Sequence, residues 1–250
     1  MVIFDISSCE SYTQYMKILF RLIEAFLEML YPRNLTCVLC HNESEDELCD
    51  LCKGSIQFNI EPICESCGRM IMKSNYMICH HCKGIRRYYD RGLSVAVYDE
   101  LSKKMIFNLK YHDKRYISHT IAKYMLDFII KIDLDIDFDV IVPVPLHQER
   151  YHQRGYNQAE LIAKHLSKLS GLPMNRDLVR RKNTKPLYTL SAEERSTVLA
   201  QAFELKTPIV GNIILVDDIF TTGSTLNMCS KVLKSNGCGY ILVITFAVGE

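Results

Sequence analysis

Val216-Asp217-Asp218-Ile219-Phe220-Thr221-Thr222-Gly223-Ser224-Thr225 closes the apolar run Ile213–Val216 and opens an amphipathic pattern over Thr225–Lys234 that stops at Gly237. That order predicts a buried strand, a tight turn and a helix whose first turn is rich in hydroxyl groups. Such a turn is an anion cradle. Its backbone N–H groups, the positive end of the helix and the hydroxyls suit a dianionic phosphate, and Gly223 lets the backbone approach it closely. The two adjacent carboxylates at the carboxyl end of the strand repel phosphate, but stand where the vicinal hydroxyls of a ribose can donate to them. Asp217, Asp218, Thr221, Thr222, Gly223, Ser224 and Thr225 therefore describe a ribose 5-phosphate pocket. An ordinary strand–turn–helix with an acidic cap is the weaker reading, because it accounts for neither the paired Asp nor the Thr-Thr-Gly-Ser-Thr run.

Upstream, the chain alternates strands and helices. Gly92–Tyr98 reads as a strand, and Leu101–Leu109 and Ile117–Ile130 as helices. Ile132, Leu134, Ile136 and Phe138 alternate with aspartates before the wholly apolar Val140-Ile141-Val142, which is a strand or a solvated approach to one. Gln158–Leu169 is a helix stopped by Gly171 and Pro173, and Tyr240–Val248 is a strand. The alternation implies an α/β domain with a mostly parallel sheet covered on both faces. Arg176–Phe203 breaks the pattern with a long polar stretch, of the length expected of a functional loop.

Eight of the eleven cysteines form four Cys-x-x-Cys pairs: Cys37/Cys40 and Cys49/Cys52, separated by eight residues, and Cys64/Cys67 and Cys79/Cys82, separated by eleven. Four thiolates per ion close a tetrahedral shell and leave no position for water, so two structural Zn²⁺ sites are expected. A redox role is disfavoured because such motifs are not repeated four times in tandem. The matched spacing favours sequential ribbons, with a cross-braced pairing as the alternative. His41, His80 and His81 stand beside ligand positions as bystanders to a complete set of thiols. Cys9, Cys229 and Cys238 are isolated, and with no secretory signal in view the thiols suit a reducing, cytoplasmic compartment.

The remaining composition is that of a globular protein: 250 residues, 48% hydrophobic and 24% charged. With 30 Lys and Arg against 29 Asp and Glu the net charge is +1, so nucleic-acid contact has to come from a local patch. Met16–Leu30 reads as an amphipathic packing helix; at 15 residues, with Lys17, Arg21, Glu24 and Glu28, it is too short and too charged to span a membrane. No transmembrane segment is expected. The domain boundaries that follow are 1–33 for the helical segment, 34–88 for a double zinc ribbon and 89–250 for the α/β domain.

The segment from Val216 to Thr225 resembles the PRPP-binding motif of type I phosphoribosyltransferases. With Val142-Pro143-Val144-Pro145-Leu146-His147, Arg150, Arg154-Gly155-Tyr156-Asn157-Gln158, Tyr31-Pro32, Leu109-Lys110-Tyr111 and Leu190-Ser191, the chain resembles the ComF family of competence-associated proteins from about residue 16 to its end. The resemblance implies a type I phosphoribosyltransferase-like sheet behind a small N-terminal double zinc-ribbon module. It further implies a PRPP-like ligand with Mg²⁺, a role in the uptake or processing of single-stranded DNA, and partners among competence proteins such as a DNA helicase. By the same resemblance Pro145, Leu146, Arg150 and Arg154 face the pyrophosphate, and Arg180, Arg181, Lys182 and Arg195 belong to a flexible lid. The lid departs from the family pattern at Leu187 and Val198, which puts catalysis in question. No residue stands out as a general base; His147, His152 and Glu194 qualify by position alone. A discontinuous basic set, Lys103, Lys104, Lys110, Lys114 and Arg115, interleaved with tyrosines, suits single-stranded nucleic acid. The other readings are a metabolic phosphoribosyltransferase acting on a base or amine, and a non-catalytic scaffold.

Overall fold

The structure, a computed structural model, describes residues 36–72, 77–181 and 202–249. The helix expected at 16–30, the lid residues Lys182 and Arg195, and the departures at Leu187 and Val198 lie outside them. The chain divides into two compact units, 1–50 and 51–250. In the first, the Cys37–Cys40 knuckle is closed by backbone bonds from Cys37 N–H to the Asn42 carbonyl at 2.7 Å and from Val38 N–H to the Glu47 carbonyl at 2.9 Å.

The described elements are α1 (Asp50–Ser55), which begins at the last residue of the first unit, and, in the second, β1 (Arg91–Val97), α2 (Glu100–Tyr111), α3 (Ile117–Ile132), β2 (Val140–Pro143), α4 (Gln148–Arg154), α5 (Gln158–Ser170), β3 (Leu178–Arg180), β4 (Phe203–Leu205), β5 (Gly211–Phe220), α6 (Ser224–Ser235) and β6 (Cys238–Val248). Four strands form one sheet in the order β1-β6-β5-β2, with every neighbouring pair parallel. This is the mostly parallel α/β sheet that the alternating pattern predicts. The central strands β5 and β6 are apolar on both faces because helices or loops cover both. Ile213, Leu215, Ile241 and Val243 share one core with Leu226 and Leu233 of α6 and with Leu178 and Phe203 of the β3–β4 hairpin. The pleat sends Ile214, Val216, Leu242 and Ile244 to the other side, where α3 and α5 pack against the sheet and against each other.

Local chemistry sets the helix ends. Asp99 caps α2 in a capping box with Ser102. Asn157 accepts from Ala159 N–H to start α5, and Gly171 ends it at φ 78°. The aspartate-rich run 133–139 is a solvated approach to β2 rather than a strand. Four elements escape a reading by periodicity: α1 and α4 span only 6 and 7 residues, and the antiparallel β3–β4 pair brackets the polar stretch with three residues on each side.

The second cysteine cluster packs on the sheet inside the larger unit. Ser94 Oγ on β1 donates to the Cys67 carbonyl at 2.7 Å and meets Thr245 Oγ1 on β6 at 2.8 Å. Gly92 N–H donates to the Glu65 carbonyl at 2.7 Å, and Arg91 pairs with Glu65 at 2.5 Å.

Candidate functional site

The four-thiol grouping is the one that sequence spacing favours. Sulfurs of Cys37, Cys40, Cys49 and Cys52 lie within 4.8 Å of one another, as do those of Cys64, Cys67, Cys79 and Cys82. Among the described residues no cysteine is bridged. The Cys40–Cys49 and Cys67–Cys79 sulfurs are 3.6 and 3.7 Å apart, near the ~3.8 Å edge of a tetrahedron with Zn–S bonds of about 2.3 Å. Backbone donors favour thiolates as well: Cys79 N–H reaches Cys64 Sγ at 3.3 Å. Burial opposes ionisation of Cys37, but backbone N–H groups of Cys40 and Cys49 outweigh it and bring the thiol down to about 6. In the second cluster, hydrogen bonds from Cys67 and Cys82 pull the Cys64 thiol far down, and the same contacts push Cys67 up. Four buried sulfurs cannot all carry charge unless a cation compensates them, and the donor set fits Zn²⁺.

The sugar-phosphate candidates gather at the carboxyl edge of β5. The strand continues to Phe220, two turns of the pleat beyond the apolar run, so Asp217 falls in the row of Ile213 and Leu215 and Asp218 in the row of Ile214 and Val216. The two side chains start from opposite rows of the strand, yet their carboxyl groups still interact, and Asp218 N–H donates to Asp217 Oδ1 at 2.9 Å. Asp218 is buried and ion-paired with Lys110 at the end of α2. Burial, followed by the nearby charge of Asp218, raises the Asp217 carboxyl well above its ordinary range. Asp217 in turn lies in the field of Arg180 and of the buried Cys229. After Phe220 the chain turns: Gly223 adopts φ 70°, ψ 8° at the N-cap of α6, where it has no side chain to cap the helix. Thr222 Oγ1 meets Ser224 Oγ at 2.9 Å and accepts from Ser224 N–H at 3.3 Å. Hydroxyls, the start of a helix and a left-handed glycine stand together, the elements of an anion cradle.

Two basic sets widely separated in sequence converge beside this edge. Lys110, Arg115, Arg150 and Arg154 line a cavity of about 630 Å³ with Tyr111, Asp113, Gln153 and Tyr156. Arg154 lies over the Tyr111 ring at 5.1 Å and Arg115 over Tyr156 at 4.5 Å. Tyr156 Oη donates to the Leu109 carbonyl at 2.5 Å, which fastens the end of α2 and with it Lys110. Pro145 and Leu146 line a separate cavity of about 220 Å³ with Tyr151, Arg176 and Arg180. The four pyrophosphate-side candidates are thus divided between two cavities. Lys103, Lys104 and Lys114 do not line the basic one.

Other candidates have plain duties in the fold. His147 caps α4, its Nδ1 accepting from Glu149 N–H at 3.2 Å. Asn157 Nδ2 holds the Val144 carbonyl at 2.9 Å. Arg181 is paired with Glu204 across the hairpin. Arg180 is pressed below its ordinary pKa first by burial and then by Arg150.

Residues 26–83 match the family described as a double zinc ribbon domain. Over 217 residues the chain is 31% identical to competence protein F of Haemophilus influenzae, covering 78% of this chain and 94% of that one. The chain belongs to the ComF family. Other ComF relatives are competence protein ComFC of Bacillus subtilis, 27% identical over 227 residues with 81% and 90% coverage, and the DNA utilization protein YhgH of Escherichia coli, 28% identical over 201 residues with 78% and 88% coverage. Among solved structures, adenine phosphoribosyltransferase from Thermoanaerobacter pseudethanolicus matches with 13% identity and a TM-score of 0.34, covering 54% of this chain and 83% of that one. A purine phosphoribosyltransferase from Pyrococcus horikoshii matches with 16% identity and a TM-score of 0.33, covering 52% and 71%. Among the described residues, no helix of this ComF member is long and apolar enough to cross a membrane.

Proposed function

We propose that this protein binds a 5-phosphoribosyl diphosphate-like ligand with Mg²⁺ and serves the uptake or processing of single-stranded DNA in the cytoplasm. The observation that supports this reading best is the edge of β5: two carboxylates, then a left-handed Gly223 turn rich in hydroxyls at the start of a 12-residue helix. The turn takes the 5-phosphate, and Asp217 and Asp218 take the ribose hydroxyls. Lys110 covers Asp218 in the ligand-free arrangement. A diphosphate arriving with the sugar offers Lys110 a more highly charged partner, freeing the carboxylate for the hydroxyls. Mg²⁺ accompanies the diphosphate and neutralises part of its charge.

The single-strand arm of the proposal draws on the basic cavity. Four cations and the exposed Tyr111 ring supply both backbone attraction and a stacking surface, the combination used for single-stranded nucleic acid. The names of the relatives, competence and DNA utilization proteins, point the same way.

Titration calorimetry of the zinc-loaded protein with PRPP and Mg²⁺ tests the ligand reading. The wild type is expected to bind, and the Asp217→Ala, Asp218→Ala variant to lose at least about a hundredfold in affinity, two carboxylate–hydroxyl contacts being worth about 1.5–3 kcal/mol each. Failure of the folded wild type to bind would abandon it. For the same protein, affinity for a fluorescent single-stranded oligonucleotide should fall with a log–log salt slope near −3, about 0.7 for each of four cations. A flat salt response would remove the DNA arm.

A further inference from the structure

The second cysteine cluster reaches β1 through a strap, residues 83–90, that is fastened to the first turn of α6. Asn227 Oδ1 accepts from Tyr88 N–H at 2.7 Å, and its Nδ2 donates to the Arg86 carbonyl at 3.1 Å. One side chain thus brackets residue 87 from both sides. The Tyr88 ring is flanked by the Arg86 guanidinium at 5.5 Å and by Lys231 Nζ of α6 at 5.3 Å. Arg87 turns the other way, into the space between the cluster and the phosphate turn. Its Nε donates to Ser66 Oγ at 3.3 Å and its Nη2 lies 4.0 Å from Cys82 Sγ. The guanidinium stands over the Phe220 ring at 5.5 Å, at the end of β5. The remaining nitrogen, Nη1, faces Gly223 so closely that a Cβ there would come within 2.9 Å of it, and among the described residues it has no hydrogen-bond partner.

We propose that Arg87 is a phosphate ligand of the Thr222–Thr225 turn and that the second zinc cluster holds it in place. This rests on the reading of that turn as a phosphate site. Four thiolates around one Zn²⁺ leave the cluster with surplus negative charge, and a donor to a ligating sulfur is the ordinary support for such a shell. Cys82 and Ser66 occupy one side of the planar guanidinium, and the other side is presented to the turn. Arginine suits this position because its fork serves two anions at once, the thiolate behind and the phosphate in front, which a lysine ammonium cannot do in a fixed geometry. Affinity for phosphate then depends on the second zinc ion, and by reciprocity a bound phosphate retards the loss of that ion. The zinc ribbon becomes a working part of the ligand site.

D-Ribose 5-phosphate, titrated calorimetrically into the zinc-loaded full chain, is the probe. Arg87→Ala is expected to weaken binding about tenfold and Arg87→Lys about threefold. Ser66→Ala, which frees Nε while keeping the charge, should weaken it about threefold with both zinc ions retained. In a chelator challenge followed with a metallochromic dye, saturating ribose 5-phosphate should slow release of one zinc ion from the wild type but not from Arg87→Ala. Arg87→Lys keeps a positive charge beside the thiolates, so it decides the matter if Arg87→Ala sheds zinc by itself. Unchanged affinity in both Arg87 variants overturns the assignment and leaves the phosphate turn standing. Equal zinc release with and without the sugar phosphate overturns the coupling. A wild type that does not bind ribose 5-phosphate removes the phosphate turn itself, and this proposal with it.

Discussion

Cys67→Ser should leave the protein with one zinc ion and without its cooperative thermal transition. Cys64, Cys67, Cys79 and Cys82 are all buried and belong to the same core cluster as Leu215, Phe220, Leu226 and Val243. A structural zinc site of this kind contributes on the order of 10–16 kcal/mol in isolated fingers, comparable with or above the whole stability of a domain at about 5–15 kcal/mol. Loss of the second ion also leaves three buried sulfurs to share protons in an apolar surround. Cys40→Ser is the contrast, because Cys40 is exposed and the first cluster is not part of that core. It should lose the other ion with little change in the melting of residues 51–250. Zinc stoichiometry by mass spectrometry together with thermal unfolding of the two variants separates these cases. Wild-type melting in Cys67→Ser would show that the second ribbon does not support the sheet.

The second large effect is expected at two glycines where the ribbon meets the sheet. A Cβ on Gly92 of β1 would lie 2.1 Å from the Ser66 carbonyl oxygen, and one on Gly68 would lie 2.1 Å from Ser94 N. Both obstructions are backbone, so no side chain can rotate away. Gly68 also has φ +72°, a conformation that L side chains adopt at a cost of about 1–2 kcal/mol. Gly92→Ala should destabilise by about 3 kcal/mol, the upper range for overpacking. Gly68→Ala, which adds backbone strain, should cost about 4 kcal/mol. At roughly 2–4 °C per kcal/mol for a unit of this size, both variants should melt about 10 °C low. Gly54, with nothing within 4 Å of its Cβ position and located in α1, is the control. Gly54→Ala should be neutral or slightly stabilising. Denaturant or thermal melts of the three variants decide the point, and a Gly92→Ala protein as stable as Gly54→Ala would mean that the ribbon does not press on β1.

Much of the candidate site was legible before any geometry was known. The Asp217–Thr225 run shows strand, turn and helix within ten residues, and the four Cys-x-x-Cys knuckles show two metal shells within 46. In both, the groups that act together are neighbours in the chain, so spacing translates directly into proximity. The β3–β4 hairpin was not legible, because three-residue strands carry too few alternations to stand out from the polar loop around them. Nor was α4, whose 7 residues bury none of their side chains and so show no apolar stripe.

Arg87 was missed for a different reason. The sequence presents it as one of two arginines in a short polar link, and nothing local distinguishes it from a solvated charge. Its place beside Gly223 comes from Asn227, 139 residues away from Tyr88, and from the packing of the ribbon on β1. The same holds for Lys110 and Arg115, which meet Arg150 and Arg154 in one cavity because Tyr156 holds the end of α2.

By itself, then, the amino-acid sequence determined the two four-thiol groupings, the alternation that builds a parallel sheet, and the hydroxyl-rich turn that follows the strand begun by Ile213–Val216. Each follows from interactions between residues a few positions apart, where backbone geometry leaves few alternatives. The tertiary structure decided that Lys110 pairs with Asp218 beside Asp217, that the cations of two distant segments share one cavity, and that the second ribbon places Arg87 beside Gly223. Those arrangements depend on strand length, pleat phase and the docking of segments far apart in the chain, which only the packed core specifies.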